Sequence, residues 1–440
     1  MKEDKALIPR PNTGLATTQP GGNQIISRMT KGLLAQDRVN SLSQARFRIG
    51  DYELREPDYR QIMLWAEGLE MDAEELLVAL EDSAHQIGVD EISDYEDDVS
   101  TNNIFETVGF QLRDGQILSL SWDFDLLPRF INEWVPGLAL ERLAFSSDGY
   151  YWIPPHILTF KLPSLRELVY VNIDQENLSL NPHDLPRLKL LYYFGPIELN
   201  LTSMPELERL KYGGTEQREL DLSPVPKLTW LDCSASRLSA LDLTPVPGLT
   251  DLFCMRQSLK ELDLTPVPRL FQLFCMDNQL DKLDLTPVPG LVRLECSRNQ
   301  LSELDLTPVP GLIQLFCLGN QIGELDLTPV TGLTMLDCSY NPLSELDLTP
   351  VPRLTILECN DNQLSELDLT QVPRLTILEC KNNQLSELDL TPVPGLTMLF
   401  CWGNQLSELD LTPVPGLTML NCDKSLVFHN APPGLKINRR

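Results

Sequence analysis

The chain has 440 residues, of which 35 are Lys or Arg and 63 are Asp or Glu, for a formal charge of −28 at neutral pH. A surface this negative repels phosphate, which argues against a nucleic-acid partner and against an anionic membrane surface. The sequence has no apolar run of about 18 residues that could span a membrane, whereas its 42% apolar content can fill an extended core.

Residues 1–50 are polar, rich in Gly, Pro, Asn, Gln and Ser, and carry eight Lys or Arg against three Asp or Glu. They read as a disordered tail with a short amphipathic helix around Ile25–Ala35. They hold no apolar core like that of a secretory signal. A leader for a specialised bacterial secretion machine has this composition, and so does any mobile tail; the expected location is the bacterial cytoplasm. Residues 51–89 read as a helical hairpin, serving as cap or adaptor. Pro57 and Asp58 open a first helix bearing Tyr59, Ile62, Met63, Leu64, Trp65 and Leu69 at helical spacing. Met71 and Asp72 make a turn and N-cap, with Glu75 three residues on as in a capping box. Leu76, Leu77, Leu80, Ala84 and Ile87 form the apolar face of the second helix. A DNA-reading helix pair is a poor alternative, because the hairpin is acidic where phosphate would be met. Residues 90–103 follow as a linker, with six acids among the nine residues 90–98.

From residue 104 to 227 a loose repeat begins. Leu140, Leu165, Leu188, Leu207 and Leu228 open successive Leu-x-x-Leu-x-Φ cores, 25, 23, 19 and 21 residues apart. Gln116–Trp122 reads as the first strand. Residues 228–426 then hold ten regular units of 21 residues, and all ten cysteines, from Cys233 to Cys422, fall on that period. Such a period marks a solenoid in which each unit stacks only on its neighbours. Residues 427–440 read as a C-terminal cap and tail.

The unit runs Leu-x-x-Leu-x-Cys-x-x-Asn-x-Leu, then x-x-Leu-Asp-Leu-Thr-Pro-Val-Pro. It resembles the leucine-rich repeat of the short bacterial class, with Cys in a position where Leu is commoner. Seven units carry the Asn, while Ser236, Gln257 and Ser425 replace it in the other three, which are expected to be looser. The resemblance implies a parallel β-solenoid, mostly strand and coil, poor in helix apart from the N-terminal module.

Alternation places Leu294 and Cys296 inward and Arg293, Glu295 and Ser297 outward. Leu301, Leu304, Leu306 and Val309 complete the inward set. The prolines of Thr-Pro-Val-Pro exclude helix and make the opposite edge extended, with a second short strand expected at Leu-Asp-Leu. Asn299, Asn320, Asn362 and Asn383, with the other ladder asparagines, are expected to satisfy backbone groups of adjacent turns. The Asp that precedes each Thr-Pro (Asp305 in one unit) invites a calcium reading. The Gly-rich signature of calcium-binding repeats is absent, so a turn device accepting backbone N–H groups is preferred. Cys296 and the other cysteines read as reduced core thiols. No Cys-x-x-Cys or Cys/His spacing suggests a metal, and no cofactor motif is present.

Leucine-rich repeats bind proteins through the outward residues of the strand face. Three columns flank Leu-x-Cys here. The column before Cys includes Phe253, Phe274, Phe316 and Phe400, and the column after it includes Met255, Met276, Leu318 and Trp402. These pairs put large apolar groups at positions expected to face water, in an otherwise near-verbatim repeat, and are the candidate partner-binding residues. Self-stacking along the sheet or a homo-oligomer contact is the competing reading. No catalytic residues are assigned, since His85, His156, His183 and His429 are scattered and none joins a nucleophile. Some bacterial leucine-rich-repeat effectors carry a ubiquitin ligase with its catalytic Cys outside the repeats; every Cys here lies inside them. The expected function is a non-enzymatic scaffold for a protein partner. The alternatives are a targeting subunit that docks an enzyme through residues 1–100, or a self-assembling structural protein.

Overall fold

The computed structural model describes residues 46–82, 111–114, 116–123, 137–146, 162–171, 185–194, 199–202, 204–213 and 218–440. The expected helix at 25–35, most of the N-terminal tail and the acidic linker lie outside them.

The described chain starts with a hairpin of β1 (Arg46–Ile49) and β2 (Tyr52–Arg55), turned at Gly50 with φ 53°. Sequence reading had assigned its first strand to the tail. The alternation of Phe47, Ile49, Tyr52 and Leu54 around Gly50-Asp51 was the available signal. Helix α1 (Glu56–Leu69) carries Pro57 in its first turn and ends at Glu70, whose φ of 58° is left-handed. Helix α2 (Ala73–Asp82) is capped by Asp72, whose Oδ1 accepts the Glu74 N–H at 2.8 Å. Ile62, Trp65, Leu76, Leu77 and Leu80 are buried in the same core as Trp122 of the solenoid. The Trp65 and Trp122 rings meet edge to face at 5.3 Å. Asp58, itself buried, accepts the Ile117 N–H at 2.9 Å and ties α1 to the solenoid's first long strand. The helix pair therefore closes the end of the stack.

The solenoid begins with β3 (Gln111–Arg113) antiparallel to β4 (Gln116–Asp123). From β4 onward the pairing is parallel and in register through β5 (Arg142–Ser146), β6 (Glu167–Val171), β7 (Leu190–Phe194) and β8 (Arg209–Gly213). The regular units continue it with β9 (Trp230–Asp232), β10 (Asp251–Phe253), β11 (Gln272–Phe274), β12 (Arg293–Glu295) and β13 (Gln314–Phe316). Then come β14 (Met335–Asp337), β15 (Ile356–Glu358), β16 (Ile377–Glu379), β17 (Met398–Phe400) and β19 (Met419–Cys422). Every Leu and Cys of the Leu-x-Cys core in these units is buried.

The last residues do more than trail. β20 (Val427–His429) pairs with β18 (Glu408–Asp410), and β21 (Lys436–Arg439) pairs with β19 as one further rung. β18 is also where the expected second strand at Leu-Asp-Leu forms. In the other regular units that segment is extended but unpaired, and two turns follow it, which corrects the expectation. Leu306 O accepts the Val309 N–H at 3.1 Å and Val309 O accepts the Leu312 N–H at 3.1 Å. Pro310 fits the second position of the latter turn. Asp305 Oδ1 accepts the Thr307 N–H at 2.9 Å, and the same bond recurs from Asp221 to Asp410. These bonds close the residues after Leu-Asp-Leu into turns.

The Asn ladder does the reverse. Asn320 Nδ2 donates to Cys296 O of the preceding rung at 3.1 Å and to Cys317 O of its own at 3.0 Å, while its Oδ1 accepts the Leu301 N–H at 3.1 Å. Asn278, Asn299, Asn341, Asn362, Asn383 and Asn404 repeat the pattern. Two of the three substituted units keep the ladder bonded at this position. Gln257 reaches Cys233 O and accepts the Leu238 N–H at 2.7 Å, and Ser236 donates to Tyr212 O at 2.9 Å.

Asn320→Ala would leave a buried N–H and two carbonyls without this partner, and should cost about 2–3 kcal/mol by urea unfolding. The ten thiols are free and buried, and burial pushes the Cys380 thiol up to about 12. A thiol reagent should therefore label none of them in the folded protein at neutral pH, and all after denaturation.

Candidate functional site: the outward strand face

The in-register pairing converts each position of the unit into a row across the sheet, with rungs about 4.8 Å apart. The row before Cys runs Asp232, Phe253, Phe274, Glu295, Phe316, Asp337, Glu358, Glu379, Phe400, Asn421. Two of its aromatic members, Phe253 and Phe274, join Trp230, of the row two residues earlier, in a cluster separate from the main core. Tyr192 meets Trp230 edge to face at 6.2 Å, Trp230 meets Phe253 at 5.3 Å, and Phe253 stacks on Phe274 at 4.6 Å. The Arg209 guanidinium lies 5.1 Å from the centre of the Trp230 ring, while that of Arg293 spans Phe274 at 4.9 Å and Phe316 at 5.9 Å.

This geometry revises the expectation that all eight candidate residues face water. Phe253 is only 8% exposed because Trp230 and Phe274 cover it from both sides, and Met276 is likewise 8% exposed. Phe274, Phe316, Phe400, Met255, Leu318 and Trp402 are half-buried and keep an outward surface. At the far end, Lys381 Nζ lies 5.5 Å from the Phe400 ring centre and the Arg440 guanidinium 5.2 Å from that of Trp402. Phe253, Met255 and Phe274 are thus brought into one patch, to which Arg293 joins Phe316, whereas Phe400 and Trp402 are not part of it. Ser297, expected outward, is fully buried between the longer Met276 and Leu318 of the adjacent rungs. Sequence reasoning placed Arg293 outward but gave neither it nor Trp230 a site role; both occupy the third outward row, and reading that row every 21 residues was the available signal.

Glu295 interrupts the aromatic row, paired in register with Phe274 on one side and Phe316 on the other. Burial raises its pKa to about 7, against the partial relief of hydrogen bonds from Ser297. Burial also raises Asp337. Burial pushes the Tyr192 phenol up to about 12. On the opposite edge, hydrogen bonds from Thr307 hold the Asp305 carboxyl below its usual range.

No family model matches the chain, and no curated protein matches it. Solved structures do. The functional domain of InlJ from Listeria monocytogenes, described as including a cysteine ladder, aligns at 32% identity and a TM-score of 0.54, over 63% of this chain and 58% of that one. The chain thus spans little more than half of that domain. The leucine-rich-repeat protein LIC12759 of Leptospira interrogans aligns at 19% identity and TM-score 0.56, over 68% of this chain and 90% of that one. YopM from Yersinia enterocolitica aligns at 23% identity and TM-score 0.55, over 87% and 86%. The chain has the leucine-rich-repeat fold. Its cysteine row occupies the buried position directly after each strand of the repeat. Among the described residues of this leucine-rich-repeat chain, no helix is long and apolar enough to cross a membrane.

Folding raises the Glu295 pKa from 4.5 to about 7. The fold therefore binds a proton that the unfolded chain releases, and its stability falls as pH rises through that window and levels off above it. Glu295→Gln should flatten the fall in urea midpoint between about pH 5 and pH 8, while leaving the contributions of Asp58 and Asp337 in place.

Proposed function

We propose that this chain is a non-enzymatic scaffold that binds a protein partner on its strand face. The reading names Phe253, Met255, Phe274, Met276, Phe316, Leu318, Phe400 and Trp402 as the binding set. Phe253 and Met276 would act from beneath, by holding their neighbours in place. The observation that supports it best is the row Trp230–Phe253–Phe274, continued to Phe316 by Arg293, standing outside the main core. Aromatic rings and a guanidinium on an otherwise repetitive surface match the composition of interface hot spots. Bacterial leucine-rich-repeat structures are among the chain's structural neighbours, and this fold commonly serves as an interaction scaffold. Docking of an enzyme through the helical module has less support, because the apolar faces of α1 and α2 are already buried against the solenoid.

The test is capture from native lysate, in reducing buffer, with the wild-type chain and with Phe274→Asp/Phe316→Asp. A protein held by the first and lost from the second, with the circular dichroism of the two chains unchanged, is the expected result. Loss of self-association in light scattering, with no partner lost, would instead favour self-assembly.

A further inference from the structure

The third outward row changes character part-way along the sheet. In β9–β13 it reads Trp230, Asp251, Gln272, Arg293, Gln314, whereas in β14–β17 and β19 it reads Met335, Ile356, Ile377, Met398, Met419. These five apolar side chains are neighbours in register, rung after rung, and each is half-buried with an outward remainder.

Both borders of this stripe are specific. On one side stand Thr334, Thr355, Thr376, Thr397 and Thr418. Each donates its hydroxyl to the backbone carbonyl of the preceding rung, at 2.9–3.2 Å. With the hydroxyls committed there, the threonines contribute methyl surface and widen the apolar strip. On the other side Asp337, Glu358 and Glu379 stand in register on three successive rungs. Like charges directly opposite each other on adjacent strands are unfavourable. Lys381 compensates them in part, its Nζ 2.6 Å from Glu379 Oε2, and Asn360 donates to the same oxygen at 3.1 Å. Ser339 N–H donates to Asp337 at 3.0 Å. Three carboxylates in register make this border acidic.

We propose that the strand face of β14–β17 and β19 docks a cationic amphipathic helix of a protein partner, its apolar edge on Met335–Met419 and its lysines or arginines against Asp337, Glu358 and Glu379. The proposal rests on the reading of the strand face as the partner-binding side and specifies what one half of it recognises. The spacing suits a helix lying across the strands. One helical turn rises about 5.4 Å against about 4.8 Å per rung, so four turns drift from the rungs by only about 2–3 Å. Anchors at i, i+3, i+4 and i+7 would follow the stripe, and the flanking cations would relieve the carboxylate row.

The probe is a labelled synthetic helix of about 16 residues with a leucine edge and lysine flanks, titrated with the full chain by fluorescence anisotropy. Binding is expected to weaken about tenfold with Ile356→Ser/Ile377→Ser, and about as much with Glu358→Gln/Glu379→Gln. It should also fall on raising salt to about 0.5 M. It should be unchanged by Asp305→Asn/Asp326→Asn on the opposite edge, and should not weaken with Phe274→Asp/Phe316→Asp, which adds a carboxylate in register with Asp337. Circular dichroism confirms that each variant is folded. Equal loss in the Asp305/Asp326 variant would mean diffuse attraction to an acidic chain and would overturn the proposal. So would binding of a helix with glutamates in place of the lysines, or no loss in the Ile356/Ile377 variant. Failure here alongside partner loss in the Phe274/Phe316 variant would leave the strand-face reading standing and refute only the helix.

Discussion

The structure depends on each unit finding its missing hydrogen-bond partners in the next one. A strand of three residues such as Arg293–Glu295 cannot satisfy its own backbone, and a turn as deep as that at Asn299 buries polar groups away from water. The buried Asn supplies both needs, donating to carbonyls of two rungs and accepting an N–H of the earlier one. Because a buried unpaired group costs about 1–3 kcal/mol, this bond set fixes the distance and register of neighbouring units before any side-chain packing is considered. Gln257 and Ser236 show that the requirement is chemical, since a longer amide and a hydroxyl meet it with different reach.

Once register is fixed, two edges of the unit are spent and one face is free. The inward row must be Leu and Cys to fill a continuous core, and the Asp-Leu-Thr-Pro edge is closed into turns by its own side chains. The outward strand positions carry neither duty. There the sequence departs from repetition, and the departures are grouped: aromatic rings with Arg293 in β9–β13, a Met and Ile stripe beside carboxylates in β14–β17. Such grouping along the sheet gives the two halves of the face different side-chain chemistry.

The ends obey the same logic. A solenoid exposes a cross-section of its core at each terminus, and here α1 and α2 cover one of them with Trp65 against Trp122 and Asp58 on the Ile117 N–H. At the other end β21 adds a rung, and Arg439 closes it by donating to Lys424 O and Leu426 O while lying over Phe428.

The sequence alone determined the unit, its register and the residues that point inward, because a 21-residue period and strand alternation are local and repeat without error from Leu228 onward. It also identified Asn299 and its equivalents as structural and the Asp ladder as a turn device, from residue type and position. Only the tertiary structure decided which outward residues stay open. Phe253, Met276 and Ser297 alternate correctly for exposure yet are buried, because accessibility on this face is set by the bulk of the side chains one rung away on either side. The same holds for Glu295, whose raised pKa comes from its burial beside two phenylalanines that are 21 residues distant in each direction. The lack of strand pairing at Leu-Asp-Leu in the regular units before Leu409 was likewise decided only in the tertiary structure.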